Sequence, residues 1–455
     1  MLRSRKTRVA ASLLTLALLS AACTSRDDGD DDTTTGNDGD AAAESDIPTE
    51  DCATDPTQEI EGDTITLASS YPQSGQYAAY SEIARGWKAF FDKVNAEGGV
   101  EIGDRTFQIE TIDQDDQYNA GETSANIDEM FGPEGDGAFA AFSVVGTANN
   151  VAIRDTLNEL CVPNLFAATG SPQWGNEDYP WMIGSTLIPY TLEAKAFADL
   201  LGELKPDATV AMLRQDDDFG DAYEEGFRQA IDGTDIELVE VQEYNATSGE
   251  VSSQISTLAA TNADAFLNGA ALLPCPTALT AVAESGWQPI TWVSGTCTSK
   301  TLMGIAGEAG NGAYAASNIM DTLNPEWDED PRMVEFMDTV NQYQPEGFDP
   351  QNAIVGYGYT QAAIFVEALK AAEAPTRLAV MESVRNLDGI SDVGLLLPGV
   401  SVTTGGDDSF MGESMMLAQY EWTGPQDRNH FVPQGDLLDF EGATRDHSPE
   451  ELINS

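Results

Sequence analysis

Asp63–Gly99 reads DTITLASSYPQSGQYAAYSEIARGWKAFFDKVNAEGG and carries one complete strand–loop–helix unit. Ile65 and Leu67 alternate with polar neighbours, as in a strand. Ile83, Trp87, Phe90, Phe91 and Val94 then recur at helical spacing, and Gly98-Gly99 ends the helix. The unit repeats. Phe107, Ile109 and Thr111 alternate as a second strand, a helix spans about 120–130, and 138–144 forms a third strand. Residues 151–160 are helical again and 163–168 make a fourth strand. Such strand–helix alternation predicts a parallel, doubly wound sheet.

After Tyr190 the pattern starts afresh: helix to 203, strand 209–213, helix 221–231, strand 237–244, helix 250–260, strand 265–268, helix 277–284 and strand 290–294. Two sheets of similar texture in one chain predict an α/β protein of two doubly wound lobes facing each other. Beyond Asn311 the reading continues with strand 312–317, helices at 331–343, 356–372 and 377–386, and a β-rich stretch at 395–422. The remainder is too polar to assign.

The first residues decide location. Arg3, Arg5, Lys6 and Arg8 precede the apolar run Leu13–Cys23, LLTLALLSAAC, which is too short to span a bilayer and ends in small residues. Leu19-Ser20-Ala21-Ala22-Cys23 resembles the bacterial lipoprotein box, which implies removal of the signal (1–23) and a lipid on Cys23 as the mature N-terminus. The segment 24–61 is rich in Asp, Thr and Gly, with almost no large apolar residue before Ile47. It reads as a disordered tether of about 38 residues, holding the folded part on the order of 30 to 40 Å from a membrane. Its aspartates lack the glycine and distal glutamate spacing of a calcium loop.

Composition narrows the partners. Without the four basic residues of the signal, 17 of 21 Lys and Arg remain against 77 Asp and Glu, a net charge of about −60. A nucleic-acid partner is excluded on electrostatic grounds, and so is direct adsorption to anionic lipid. Membrane contact is expected only through the lipid. The excess reads as a solvated acidic surface of the kind a saline habitat favours. Beyond Cys23 four cysteines are left, which allow three pairings; Cys275 with Cys297 and Cys52 with Cys161 are favoured, because each pair falls at one edge of a lobe.

No catalytic apparatus is legible. The two histidines, His430 and His447, lie in the polar tail, and no nucleophile elbow, zinc-binding H-E-x-x-H or nucleotide P-loop occurs. No cofactor and no metal site are expected. The strand ends point to binding. Ser69–Gly75, Val145–Asn149 and Ala167–Ser171 end three strands of one sheet in small hydroxyl residues and glycines, whose N–H and O–H groups can converge on a small polar ligand. Capping of the following helices uses the same residue types. In the second lobe the corresponding ends are Arg214–Gly220, Gly269–Leu273 and Ser294–Cys297. Phe219 there reads either as a ligand contact or as a staple on its own helix.

Taken in order, SSYPQSGQYAAYSEIARGWKAFFDKVNAEGGV, IDQDDQYNA, VPNLFAATGSPQW and VAMLRQDDDFG resemble the leucine/isoleucine/valine-binding type of periplasmic solute-binding protein, the receptors of branched-chain amino acid ABC importers. The resemblance covers about 62–425. It implies the type I periplasmic binding fold, with three crossovers as a hinge, lobe 1 at 62–186 plus 318–394, lobe 2 at 187–317 plus 395–425, and a polar tail at 426–455. It implies an extracytoplasmic, monomeric receptor that closes on a small ligand and delivers it to a membrane permease. The contacts would fall on Tyr80, Thr147, Ala168, Thr169, Phe219, Ala271 and Thr296. The family acid that pairs with a ligand ammonium aligns near Thr296, where no carboxylate stands between Val293 and Lys300. That departure leaves an amino acid, an amide or a related carboxylate open as ligand. A sensor subunit of the same fold and a surface hydrolase are the other readings.

Overall fold

The computed structural model describes residues 47–455 except 133, 134, 136, 248, 345–348 and 407. The signal, Cys23 and the tether up to residue 46 lie outside the described residues. In chain order the first sheet contains β1 (Thr64–Tyr71), β2 (Val100–Ile102), β3 (Arg105–Asp115), β4 (Ala140–Phe142), β5 (Asn164–Ala167) and β6 (Met182–Gly184), ordered β2-β3-β1-β4-β5-β6. Helices α1 (Ser81–Ala96), α2 (Ala120–Phe131) and α3 (Thr147–Leu160) connect them. The second sheet takes β7 (Thr209–Gln215), β8 (Glu237–Tyr244), β9 (Ala265–Gly269), β10 (Ile290–Val293) and β11 (Tyr314–Ser317). Around it lie α4 (Tyr190–Leu204), α5 (Asp218–Ile231), α6 (Ser252–Thr261), α7 (Pro274–Ser285) and α8 (Lys300–Ala306). The chain then returns to the first lobe as α9 (Pro331–Tyr343), α10 (Ala353–Ala371) and α11 (Arg377–Val384), followed by a ribbon of β12 (Ile390–Ser391) and β13 (Ser401–Val402). It crosses back as β14 (Ser414–Glu421) and β15 (His430–Asp439), which extend the second sheet to the order β15-β14-β11-β10-β9-β7-β8, and ends in α12 (Glu450–Ile453).

The two-lobed α/β reading therefore stands, with three amendments. Both sheets are mixed: β2 pairs antiparallel with β3, β14 pairs antiparallel with β11, and β15 pairs antiparallel with β14. The third strand spans three residues where seven were expected, because Ser143 and Gly146 both take positive φ, and α3 begins at Thr147. The ends assigned to tether and tail are structured. Residues 47–61 are fastened to the first lobe by the Cys52–Cys161 disulfide, by Ile60 N–H donating to the Pro375 carbonyl and by Leu378 N–H donating to that of Pro56. The segment after residue 426 forms β15 and then binds the buried Glu413 carboxylate through the N–H groups of Gly442 (2.7 Å) and Thr444 (2.8 Å). Polarity hid these pieces from sequence reading, since their order comes from pairing with residues far away in the chain.

Why α10 belongs to the first lobe is written in two glycines. A Cβ on Gly358 would lie 2.0 Å from the Ile83 carbonyl oxygen, and one on Gly86 would lie 2.1 Å from that of Val355. With hydrogens there, α1 and α10 approach backbone to backbone and bury Trp87, Phe91 and Phe365 against Phe142. The three passages between lobes are laced together. Asn318 Nδ2 donates to the Thr186 carbonyl (2.6 Å), Met320 N–H to that of Leu395 (2.7 Å) and Leu397 N–H to that of Asn318 (2.9 Å). The second disulfide, Cys275–Cys297, ties the start of α7 to the loop after β10.

Gly358→Ala is expected to destabilise by about 3 kcal/mol or more, since neither backbone can yield without unpacking the helix pair. Gly202→Ala on α4, where an added methyl meets nothing within 4 Å, should instead stabilise by about 0.5–1 kcal/mol. Urea unfolding of the two variants beside wild type checks both signs.

Candidate functional site

The C-terminal ends of both sheets' strands open onto one cavity of about 1140 Å3, counted out to the solvent at its mouth. Lobe 1 contributes Tyr80 at the start of α1, Tyr118, the turn Val145-Gly146 before α3, and Ala168 after β5. Lobe 2 contributes Tyr190 and Glu193 on the first turn of α4, Phe219 on α5, Ala271 after β9, and Gly295-Thr296 after β10. The hinge strand 317–321 and the start of α10 close the back. Most of the wall is apolar or aromatic, and none of the lining residues is basic.

At the mouth the lobes touch. Tyr77 Oη donates to Gln215 Oε1 at 3.1 Å, and Tyr244 Oη reaches the same oxygen at 2.9 Å. Gln215 in turn donates to Asp217 (2.6 Å), the residue that caps α5 by accepting from Phe219 and Gly220 N–H. On the other side Lys300 meets Asp349 at 2.7 Å. Two of the free N–H groups at the start of α5 are thus taken by its own cap. Tyr118 is held in the left-handed backbone region (φ 62°) by donating its N–H to Asp116 (2.8 Å), and its ring stacks on Tyr77 at 4.1 Å.

The decisive group is Glu193. It is wholly buried, and it stands in a helix turn whose neighbours Tyr190, Thr191, Leu192 and Ala194 are buried too. Burial pushes its carboxyl up to about 7, against the opposing effect of the donors around it. Gly295 N–H (3.0 Å) and Tyr223 Oη (2.8 Å) donate to Oε2, and the Tyr223 oxygen also meets Ser294 Oγ at 2.7 Å. The Trp292 indole N–H lies on the same carboxylate without closing to full hydrogen-bond geometry, which leaves Oε1 under-satisfied. A Cβ at 295 would come 2.9 Å from Oε1, so a side chain there would push on the carboxylate.

Of the residues expected from sequence, Tyr80, Ala168, Phe219, Ala271 and Thr296 line the cavity. Phe219 serves both of its readings, since its ring also packs edge-on against Tyr190 at 4.8 Å. The Tyr80 and Thr296 hydroxyls face each other across the cleft. Thr147 and Thr169 are not on the wall: their hydroxyls bond to each other at 2.6 Å, behind Gly146 and Ala168. A carboxylate does stand beside Thr296, brought there from another element, for Glu193 accepts from the N–H of Gly295. Sequence reading missed Glu193, Tyr118, Tyr190 and Tyr357. The available signal was weak: in YTLEAKAFADLL, Glu193 stands directly after Tyr190-Thr191-Leu192, and only helical register sets it on the side away from Lys195 and Asp199. Neither histidine lines the cavity.

Comparison with known proteins agrees with this architecture. The chain is 22% identical over 339 residues to a Leu/Ile/Val-binding protein homolog 7 of Brucella abortus, covering 71% of this chain and 81% of that protein. Its fold is similar to that of a branched-chain amino acid ABC transporter protein of Thermus thermophilus crystallised with valine (TM-score 0.72, 18% identity, 84% of this chain and 97% of that one). It is similar as well to a fatty acid ABC transporter substrate-binding protein of Thermomonospora curvata (TM-score 0.71, 18% identity, 86% and 96%). With residues 64–427 matching the family profile, cleft, hinge and strand order have one common explanation: the chain belongs to the periplasmic binding protein family.

Proposed function

We propose that this protein is the extracytoplasmic receptor of an ABC importer, which closes its lobes on an amphipathic organic solute and presents the closed form to a membrane permease. The observation that carries the reading is a mostly apolar interlobe cavity whose walls hold one under-satisfied buried carboxylate and no cation. A ligand ammonium against Glu193, with an apolar body among Tyr80, Tyr190, Phe219 and Ala271, satisfies both halves of that wall. The relatives named for branched-chain amino acids fit the ammonium. The one named for a fatty acid fits the apolar body. Thr147 and Thr169, paired with each other, position the Gly146 and Ala168 backbone and do not touch ligand.

The remaining features fall into place around that role. Cys23 carries lipid and anchors an otherwise exported monomer, with lobe 1 at 62–186 plus 318–394 and lobe 2 at 187–317 plus 395–425. Ligand is bound and released unchanged. Closure needs the ligand's differential contacts with both lobes, since binding equally well to either state shifts nothing.

Calorimetry with a panel of amino acids, amides and carboxylates tests the ligand class. The best ligand should carry an ammonium, and its affinity should fall about tenfold per pH unit below about pH 7, where Glu193 takes up a proton. Glu193→Gln should weaken it by about 10- to 100-fold at pH 8. A best ligand without a cationic group, with pH-independent affinity, overturns the reading.

Without ligand the same group predicts a stability signature. A carboxyl raised in the folded state stabilises below its unfolded value near 4.5 and loses that contribution as pH rises through about 7. Relative to wild type, Glu193→Gln should therefore gain about 2 to 3 kcal/mol on going from pH 5 to pH 8, read from denaturant unfolding at both values.

A further inference from the structure

The family match ends at residue 427, and β15 starts three residues later. Yet this strand reaches the ligand cavity. Phe431 lies in its wall, buried, opposite Tyr420 of β14 with ring centroids 5.2 Å apart. Its backbone N–H donates to Asp321 Oδ2 at 3.0 Å, and Asp321, on the hinge strand, lines the same cavity. Between Phe431 and the cleft the wall is made of Ala315 and Ala418, which pair in register on β11 and β14. Two methyl-sized side chains leave room, and a phenyl ring ends it. The cavity thus has an arm that runs over small residues from the cleft toward the sheet edge.

We propose that Phe431, contributed by a strand outside the family match, is the specificity-determining end wall of this arm and sets the length of apolar tail the ligand can carry. The inference rests on the reading of the cavity as the ligand site, and it adds the substrate class: a solute with an unbranched or flat apolar tail longer than a branched-chain side chain. Removing the ring lengthens the arm, and a larger ring shortens it. Each methylene buried or expelled changes affinity by about fourfold. The head-group end is unaffected because Glu193 is held by Gly295 and Tyr223, whereas Phe431 binds the hinge acid Asp321.

The test uses the full chain as wild type, Phe431→Ala and Phe431→Trp, with two probes. The first is a series of straight-chain α-amino acids from norvaline to 2-aminododecanoate, measured by calorimetry. The second is the neutral fluorophore N-phenyl-1-naphthylamine, which needs no ammonium partner. Phe431→Ala should move the optimum to longer tails and Phe431→Trp to shorter ones, with norvaline unchanged within about twofold. If the alanine variant unfolds, the tryptophan variant alone decides. The same length profile in all folded variants overturns the proposal and leaves the importer reading intact. If no amino acid binds wild type, the ammonium reading fails and the fluorophore decides. Weaker fluorophore binding in Phe431→Trp at unchanged Tm then supports the end wall. Equal affinity, or no binding of either probe, overturns it.

Discussion

A carboxylate without a cation governs this molecule. Taking an ionised acid out of water costs several kcal/mol unless charge or donors replace the solvent, and Glu193 receives two full hydrogen bonds and one imperfect one. Those donors come from α5, from β10 and from the loop after it, so the acid links the helix that opens the second lobe to the strand ends that form its floor. The consequence is a lobe whose inner surface is cross-linked by hydrogen bonds between its own elements. The Cys275–Cys297 disulfide acts on the same loop from the far side. Preorganisation of this kind lowers the ordering that binding must still supply.

The fold was legible because its signal is periodic. Alternation at 65–67 and helical spacing at 83–94 depend only on neighbours a few residues apart, and both recur in each lobe. The strand ends were legible for the same reason, whereas the seven contacts were implied by the family resemblance, and five of them line the cavity. What escaped depends on distant pairing. Glu193 looks like any first-turn helix acid until Gly295, 102 residues on, donates to it. Thr147 and Thr169 look like independent hydroxyls until the fold pairs them with each other. β15 has a polar sequence because it is an edge strand, so its order shows only in its ladder with β14.

Charge operates on two scales. The acidic excess lies mostly on the surface, where ion pairs such as Lys370–Glu367 are exposed and contribute little individually. In the interior the few acids are bound one by one: Glu413 by Gly442 and Thr444, Asp321 by Leu323 and Phe431, Asp116 by Ser70, Thr123 and Tyr118. Each of these joins segments remote in sequence. Buried acids thereby specify which loop meets which, a role that apolar residues of similar size could not fill because they accept no hydrogen bond.

The segment after β15 shows how such pairing extends to motion. It leaves Glu413 beside the hinge, meets lobe 2 through Thr191 and Ser448 (3.0 Å) and through Gln229 to the Asp446 carbonyl (3.2 Å), and then reaches lobe 1. There Arg445 pairs with Glu177 at 2.8 Å, and Ser455 receives Arg154 and Gln173. Gln173 also approaches Asp218 of lobe 2 at 3.4 Å, so the segment sits where the lobes are adjacent. Any opening of the cleft must break or stretch contacts on one of its two sides. The exposed ones are cheap to break, whereas the buried Thr191–Ser448 pair is not. Opening should therefore peel the segment from lobe 1 and leave it on lobe 2, which makes the first-lobe contacts a small bias toward the closed form that ligand binding adds to.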